Sequence, residues 1–179
     1  IPSNSADDPA YALLGIVPAI SHVLVPDSSW QQVGSIRVNR AECLALVRWL
    51  SKHGRQLCER YANASTSKPV AIVSAYREQA RFIQGQLNSA KGVPVDSIEV
   101  VALRDVAHRQ WPVVLASATC GPAAYAGDCA CNASGIICSF AACALDALLL
   151  FWGGAWIKSD DKAALTYLRR STMVGRLYS

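Results

Sequence analysis

The sequence predicts an α/β fold built on a mainly parallel sheet with helices on both sides. Three observations predict it. VAIVS (70–74), IEVVAL (98–103) and PVVLAS (112–117) are short, continuous apolar runs rich in β-branched residues. Such runs suit strands covered on both faces, as in parallel sheets. Between and after them lie segments with apolar residues at helical spacing. The order from residue 70 is strand, helix, strand, strand, helix, strand, helix, and such alternation argues for helices packed on a parallel sheet.

Each element follows from local chemistry. Residues 1–34 are mixed, and Pro2, Pro9, Pro18 and Pro26 interrupt any long element, although SHVLV (21–25) suits a short strand. Asn39-Arg40-Ala41-Glu42 places an N-cap residue three positions before a glutamate, the capping-box pattern. Leu44, Val47 and Leu50, with Leu46 and Trp49, extend a helical stripe from there to about Tyr61. NASTSKP (63–69) is a polar linker before the first sheet run. Tyr76, Ala80, Ile83 and Leu87 mark a second helix, and Lys91-Gly92-Val93-Pro94 a loop. RDVAHRQW (104–111) is a polar connection, and residues 118–135, rich in Gly, Ala and Cys, read as a long loop.

The window IICSFAACALDALLLFWGGAWI (136–157) is long enough to cross a bilayer. Asp146 would then sit near the bilayer centre, at a cost of about 2.5 to 3.5 kcal/mol. The window divides more naturally into a buried Ala-rich helix, ICSFAACAL, and a core strand, ALLLFW (147–152), stopped by Gly153-Gly154. A last helix is expected in DKAALTYLRRS, where acids come first and Arg169-Arg170 last, as the helix dipole favours. No membrane partner is expected.

Composition narrows the classes further. A chain of 179 residues with 52% apolar and 17% charged residues can bury one core without staples. The net charge is only +4, but residues 37–109 hold twelve of the seventeen Lys and Arg, and residues 110–157 hold none. This asymmetry fits either an anionic partner on one face or an ordinary solvated surface beside a deeply buried half. The first residue is Ile1, as in a piece of a longer chain, and no secretory signal pattern opens the sequence. A cytoplasmic location with reduced thiols is therefore the expectation. Cys43 and Cys58 fall within a helical pattern. Cys120, Cys129, Cys131 and Cys138, spaced C-x8-C-x-C-x6-C, lack the paired spacing of a structural zinc site, so no metal is expected.

Four fragments, in order, resemble one family. NRAECLALVRWL (39–50) is similar to the N-x-x-E-A helix of superfamily 1 helicases. SAYREQA (74–80) looks like the T-P-Y/F-x-x-Q motif of their second motor domain. VVALRDVAHRQWPVVLAS (100–117) resembles V-G-T-V-x-x-x-Q-G-x-E-x-P/D-V-V-x-x-S, and FAACALDALLLFWG (140–153) resembles N-V-A-x-S-R-A-x-D-x-L-x-x-F-G. The resemblance spans about residues 34–155 and is closest to the RNA-surveillance and DNA-replication branch. It implies a RecA-like three-layer α/β/α domain over 34–179, with residues 1–33 as an N-terminal arm or linker.

The departures from the pattern shape the functional expectation. Where the family has Gln-Gly-x-Glu, this chain has Ala107, His108, Arg109 and Gln110. Where the family presents an arginine to the γ-phosphate, this chain has Cys143, and Cys138 falls where the motif has Asn. Such an arginine is worth about 10³- to 10⁵-fold in rate in related phosphoryl transfer, and a thiol cannot replace it. No G-x-x-x-x-G-K-[ST] occurs in these residues. ATP is thus implied as a ligand only together with a first motor domain, and the residues given are not expected to hydrolyse it.

What survives is Ser74, Arg77 and Gln79 at the end of a strand, with Arg104 and Arg109 after another. The family uses these regions for nucleic acid or nucleotide, so these five are the candidate contacts to single-stranded nucleic acid. On the bland alternative, Arg77 and Arg81 solvate a helix face and Trp111 packs in the core rather than stacking on a base. His22 and His53 have no nucleophile partner pattern. The leading expectation is a non-catalytic, helicase-derived domain that binds nucleic acid or scaffolds a partner protein. The alternatives are the second motor domain of a longer working helicase, and an interaction domain without nucleic-acid binding.

Overall fold

The structure, a computed structural model, describes residues 19–25, 30–33, 36–64, 66–118, 133–152 and 172–176. Its centre is a six-stranded sheet in the order β5-β4-β6-β7-β1-β8, and every pairing in it is parallel. The strands are β1 (Ala19–Leu24), β4 (Val70–Ser74), β5 (Ile98–Ala102), β6 (Trp111–Ser117), β7 (Ala144–Trp152) and β8 (Thr172–Arg176). A separate antiparallel hairpin, β2 (Trp30–Val33) with β3 (Ile36–Asn39), leads into the first helix.

Helices α1 (Arg40–Arg60) and α2 (Arg77–Ser89) cover one face of the sheet, and α3 (Ala133–Cys143) covers the other. The strand residues alternate between the two layers, as a pleated strand requires. Ile72, Leu115 and Leu149 meet Leu46, Leu50 and Ile83 on the α1–α2 side, while Val73, Val114 and Leu148 meet Ile137 and Phe140 on the α3 side. β4 and β6 are buried along their whole lengths. Their unbroken apolar runs arise because each residue faces one layer or the other. The architecture is the three-layer α/β/α sandwich the sequence predicts.

Most element bounds agree with the sequence to within a few residues. The α1 N-cap is Asn39, whose side chain accepts from the Glu42 N–H at 3.0 Å. The reciprocal half of the capping box is replaced, because the Asn39 N–H donates instead to Gln79 Oε1. The expected strand at 147–152 begins earlier, at Ala144, because that residue pairs with Trp111 at the start of β6. Consequently α3 ends at Cys143, before the expected helix end. The window that is long enough for a bilayer therefore holds the last eight residues of α3 and the 9-residue strand β7. Among the described residues, no helix is long and apolar enough to cross a membrane.

Three features depart from expectation. The antiparallel pair β2–β3 was not expected from the sequence. β8 has no alternating pattern to announce it. Finally, β1 lies between β7 and β8, so the expected arm at 1–33 supplies an interior strand of the sheet. Its bonding partners lie more than a hundred positions away, which no local pattern reveals. The helix expected from Asp160 lies outside the described residues.

The chain crosses the sheet with a single hand. Connections toward the β5 edge, through α1 and α2, use one face. Connections toward β8, through 103–110 and α3, use the other, as Val106 and Trp111 in the α3-side core show. Parallel crossovers are right-handed almost without exception because of strand twist. This winding makes β4 and β6 the pair from which the chain departs in opposite directions, and their carboxyl ends form the topological switch point.

One buried titratable group in β1 makes the fold sensitive to acid. His22 is 7% exposed and its ring stands 6.1 Å from that of Trp152 in an edge-on arrangement. Burial lowers its pKa from the ordinary 6.5. The unfolded chain therefore takes up this proton first, so stability is full above pH 6.5 and declines as pH falls below it. Urea midpoints measured from pH 7.5 to 5 should fall with pH, and His22→Gln should flatten part of that slope. Equal slopes in the two proteins would exclude His22 as the source.

Candidate nucleic-acid interface

At the switch point, Ser74 and Ser117 end β4 and β6 side by side in register. Both are buried, and so is Gln79 in the first turn of α2, at 2% exposure. The Gln79 amide makes three bonds. Oε1 accepts from the Asn39 N–H at 2.8 Å, while Nε2 donates to the Asn39 carbonyl at 3.0 Å and to Ser117 Oγ at 3.3 Å. Ser74 Oγ accepts from the Tyr76 N–H at 3.4 Å. Of the sequence-predicted contacts, Ser74 and Gln79 are therefore committed to the interior. They join the start of α1, the start of α2 and the end of β6 rather than facing solvent.

Arg77 lies at the rim of this region. Its guanidinium forms a two-pronged bond with Asp105, Nε donating to Oδ2 at 2.7 Å and an Nη to Oδ1. The two side chains are 48% and 37% exposed. Planar forks of this kind fix orientation as well as charge. The Arg77 hydrogen bond holds the Asp105 carboxyl below its ordinary range, and the charges of Arg77, Arg104 and Arg81 add to that effect. Three guanidinium groups thus act on the Asp105 carboxylate, and Glu78 acts on Arg77 in turn: three positive charges against two negative leave an excess of one. Arg104 itself is exposed.

Arg109 is placed differently. It is ion-paired with Glu99 of β5, and its Cζ lies 4.7 Å from the centre of the Trp111 ring. Cation–π contact at that distance adds to the pair. The Arg109 bond, aided by the Trp111 indole N–H at 3.2 Å, keeps the Glu99 carboxyl below its usual range against the opposing effect of burial. Trp111 is 3% exposed, so it packs in the core and offers no face to a base. The structure groups Arg77 with Arg104 and Arg81, and sets Arg109 apart.

The positions that depart from the family's motifs form a compact turn. Ala107 and His108 both have left-handed backbones, with φ of 47° and 65°, and the Arg109 N–H donates to the Val106 carbonyl at 3.0 Å. Two positive φ values inside such a bond define a type I′ turn, which favours Asn-Gly. His108, which the resemblance would align with a glycine, thus has a conformation suited to glycine. Gln110 Nε2 donates to the Ala142 carbonyl at 3.0 Å, anchoring the turn to the last turn of α3. Cys143 ends that helix. It is buried, its thiol donates to the Ser139 carbonyl at 3.1 Å, and burial raises its pKa. A neutral thiol turned toward the sheet stands where the resemblance would place an arginine.

Elsewhere, Cys43 and Cys58 are buried thiols in α1, with pKa values pushed by burial to about 12 and about 11. Among the described residues, no group of His, Cys, Asp and Glu is arranged to hold a metal. Cys120, Cys129 and Cys131 lie outside the described residues. No protein-family model matches the chain, and no curated protein matches it.

Two substitutions probe this region. Gln79→Ala strips partners from the buried Asn39 N–H and carbonyl, so unfolding free energy should drop by about 2 to 4 kcal/mol in denaturant titration. A loss within error would mean that water or neighbouring groups replace the amide. His108→Gly relieves a left-handed backbone that costs a side-chain-bearing residue about 1 kcal/mol. It should raise the melting temperature, whereas His108→Val should lower it.

Proposed function

We propose that the chain is a non-catalytic, helicase-like domain that binds single-stranded nucleic acid weakly through its phosphates. The observation that carries this reading is the cluster of Arg77, Arg81 and Arg104 around Asp105, at the carboxyl ends of β4 and β5. Ligands of open α/β sheets collect at that end. A net positive charge at an exposed rim suits a phosphate backbone, which is bound largely by charge and counterion release. The parallel three-layer fold fits a RecA-like domain.

The non-catalytic half of the proposal rests on chemistry at the motif positions. The thiol of Cys143 carries no positive charge to offer a transferring phosphoryl group and is directed into the core. The turn at Ala107–Gln110 has a backbone suited to glycine at His108 but lacks the carboxylate of the motif it resembles. A domain with these features acts by holding a strand or a partner rather than by turning over nucleotide. Buried Ser74 and Gln79 then serve to set the rim, and Arg77, Arg81 and Arg104 make the contacts.

The test is anisotropy of a labelled single-stranded oligonucleotide between 50 and 200 mM salt. Two neutralised phosphates predict a logarithmic slope of about −1.4, or roughly a sevenfold loss across that range. Arg104→Gln should weaken binding and reduce the slope by about 0.7. Absence of binding at low salt, or binding indifferent to salt, would overturn the nucleic-acid reading. Strand-stimulated ATP hydrolysis by these residues would overturn the non-catalytic one.

A further inference from the structure

β5 closes one side of the sheet. Its inner flank pairs with β4, and its outer flank pairs with no strand among the described residues. A strand edge of this kind presents a row of backbone donors and acceptors, and natural proteins usually blunt it. Here the edge opens into a groove of about 420 Å³ between β5 and α2. The floor is Val100, Val101 and Ala102. One wall is α2, which presents Arg77, Arg81 and Gln84. These occur at i, i+4 and i+7, so they form a single stripe along the helix.

We propose that this groove receives an extended acidic segment of a partner protein, added to the sheet as a seventh strand beside β5. The backbone row favours a peptide over nucleic acid, because only another strand can answer alternating N–H and C=O groups. The stripe of Arg77 and Arg81 sets the sign of the side chains. Added residues facing α2 recur at every second position, so the fitting segment has carboxylates at alternate positions. A second copy of this chain pairing edge to edge would bring the same arginines into apposition and be repelled. Asp105 already occupies Arg77 through its fork, and the incoming carboxylates share that guanidinium with it while engaging Arg81.

The proposal stands apart from the nucleic-acid reading, although the two ligands share Arg77 and Arg81 and should compete. The probe is a blocked, labelled heptapeptide of alternating Glu and Val, with its Lys–Val counterpart as control. The Glu–Val peptide should bind saturably, slow hydrogen exchange at the alternate β5 amides that point to the outer flank, and lose affinity roughly tenfold with Arg81→Glu. The same variant should favour the Lys–Val peptide. Equal binding of both peptides, or unchanged exchange in β5, would overturn strand addition. Binding of the oligonucleotide without the peptide removes this inference alone. Binding of the peptide without the oligonucleotide removes the nucleic-acid proposal alone.

Discussion

The buried amide of Gln79 is the contact on which the carboxyl end of this sheet depends. It bonds both backbone groups of Asn39 and the hydroxyl of Ser117. Asn39 is at once the last residue of β3 and the N-cap of α1. One side chain therefore joins the hairpin, two helix starts and the end of an interior strand. Buried polar groups stabilise only when their partners are supplied, and here both ends of one amide are used. The N-cap of α2, Tyr76, makes no side-chain cap bond, and its own N–H donates to Ser74 Oγ.

From that fixed point the arginines take their places. Arg77 lies two residues before Gln79, and Asp105 lies on the short 3-10 turn Leu103–Asp105 after β5. The fork between them ties α2 to that turn, with Arg81 and Arg104 near the same carboxylate. Two acids, Asp105 and Glu78, among three cations keep the rim ordered while leaving it positive. Arg109 shows the opposite arrangement. Glu99 and the Trp111 ring take up its charge, so a basic residue that looks equivalent in sequence contributes to packing.

Much of the fold was legible in the sequence because its signals are local. β4 is VAIVS, residue for residue, and Asn39 caps α1 where the N-x-x-E pattern puts it. Parallel strands buried on both faces leave a continuous apolar imprint that is hard to mistake. The site was less legible. Gln79 and Ser74 have the polarity of ligand contacts, and only the long-range pairing of Asn39 with α2 reveals that they are internal. For Trp111 beside Arg109, core packing is the reading the sequence favours over a stacking platform, and the structure agrees: it is buried and its indole N–H is already used. The backbone of Ala107 and His108 is the clearest example, since neither residue type announces a left-handed turn.

The position of β1 also governs how this sheet can be assembled. Ala19 pairs with Ala147 and Ser21 with Thr172, so an early strand waits for the last parts of the chain. Emerging from a ribosome, β4, β5 and β6 with α1 and α2 could condense first, while β1 remained without neighbours. Completing the sheet means inserting β1 between β7 and β8, a closure of high contact order that is slow by nature. During that interval β7, with Leu148, Leu149, Leu150 and Phe151, would expose an apolar edge to other chains. The interior place of β1 thus carries a cost in time, and the newborn domain is most exposed to aggregation while β7 waits for β1.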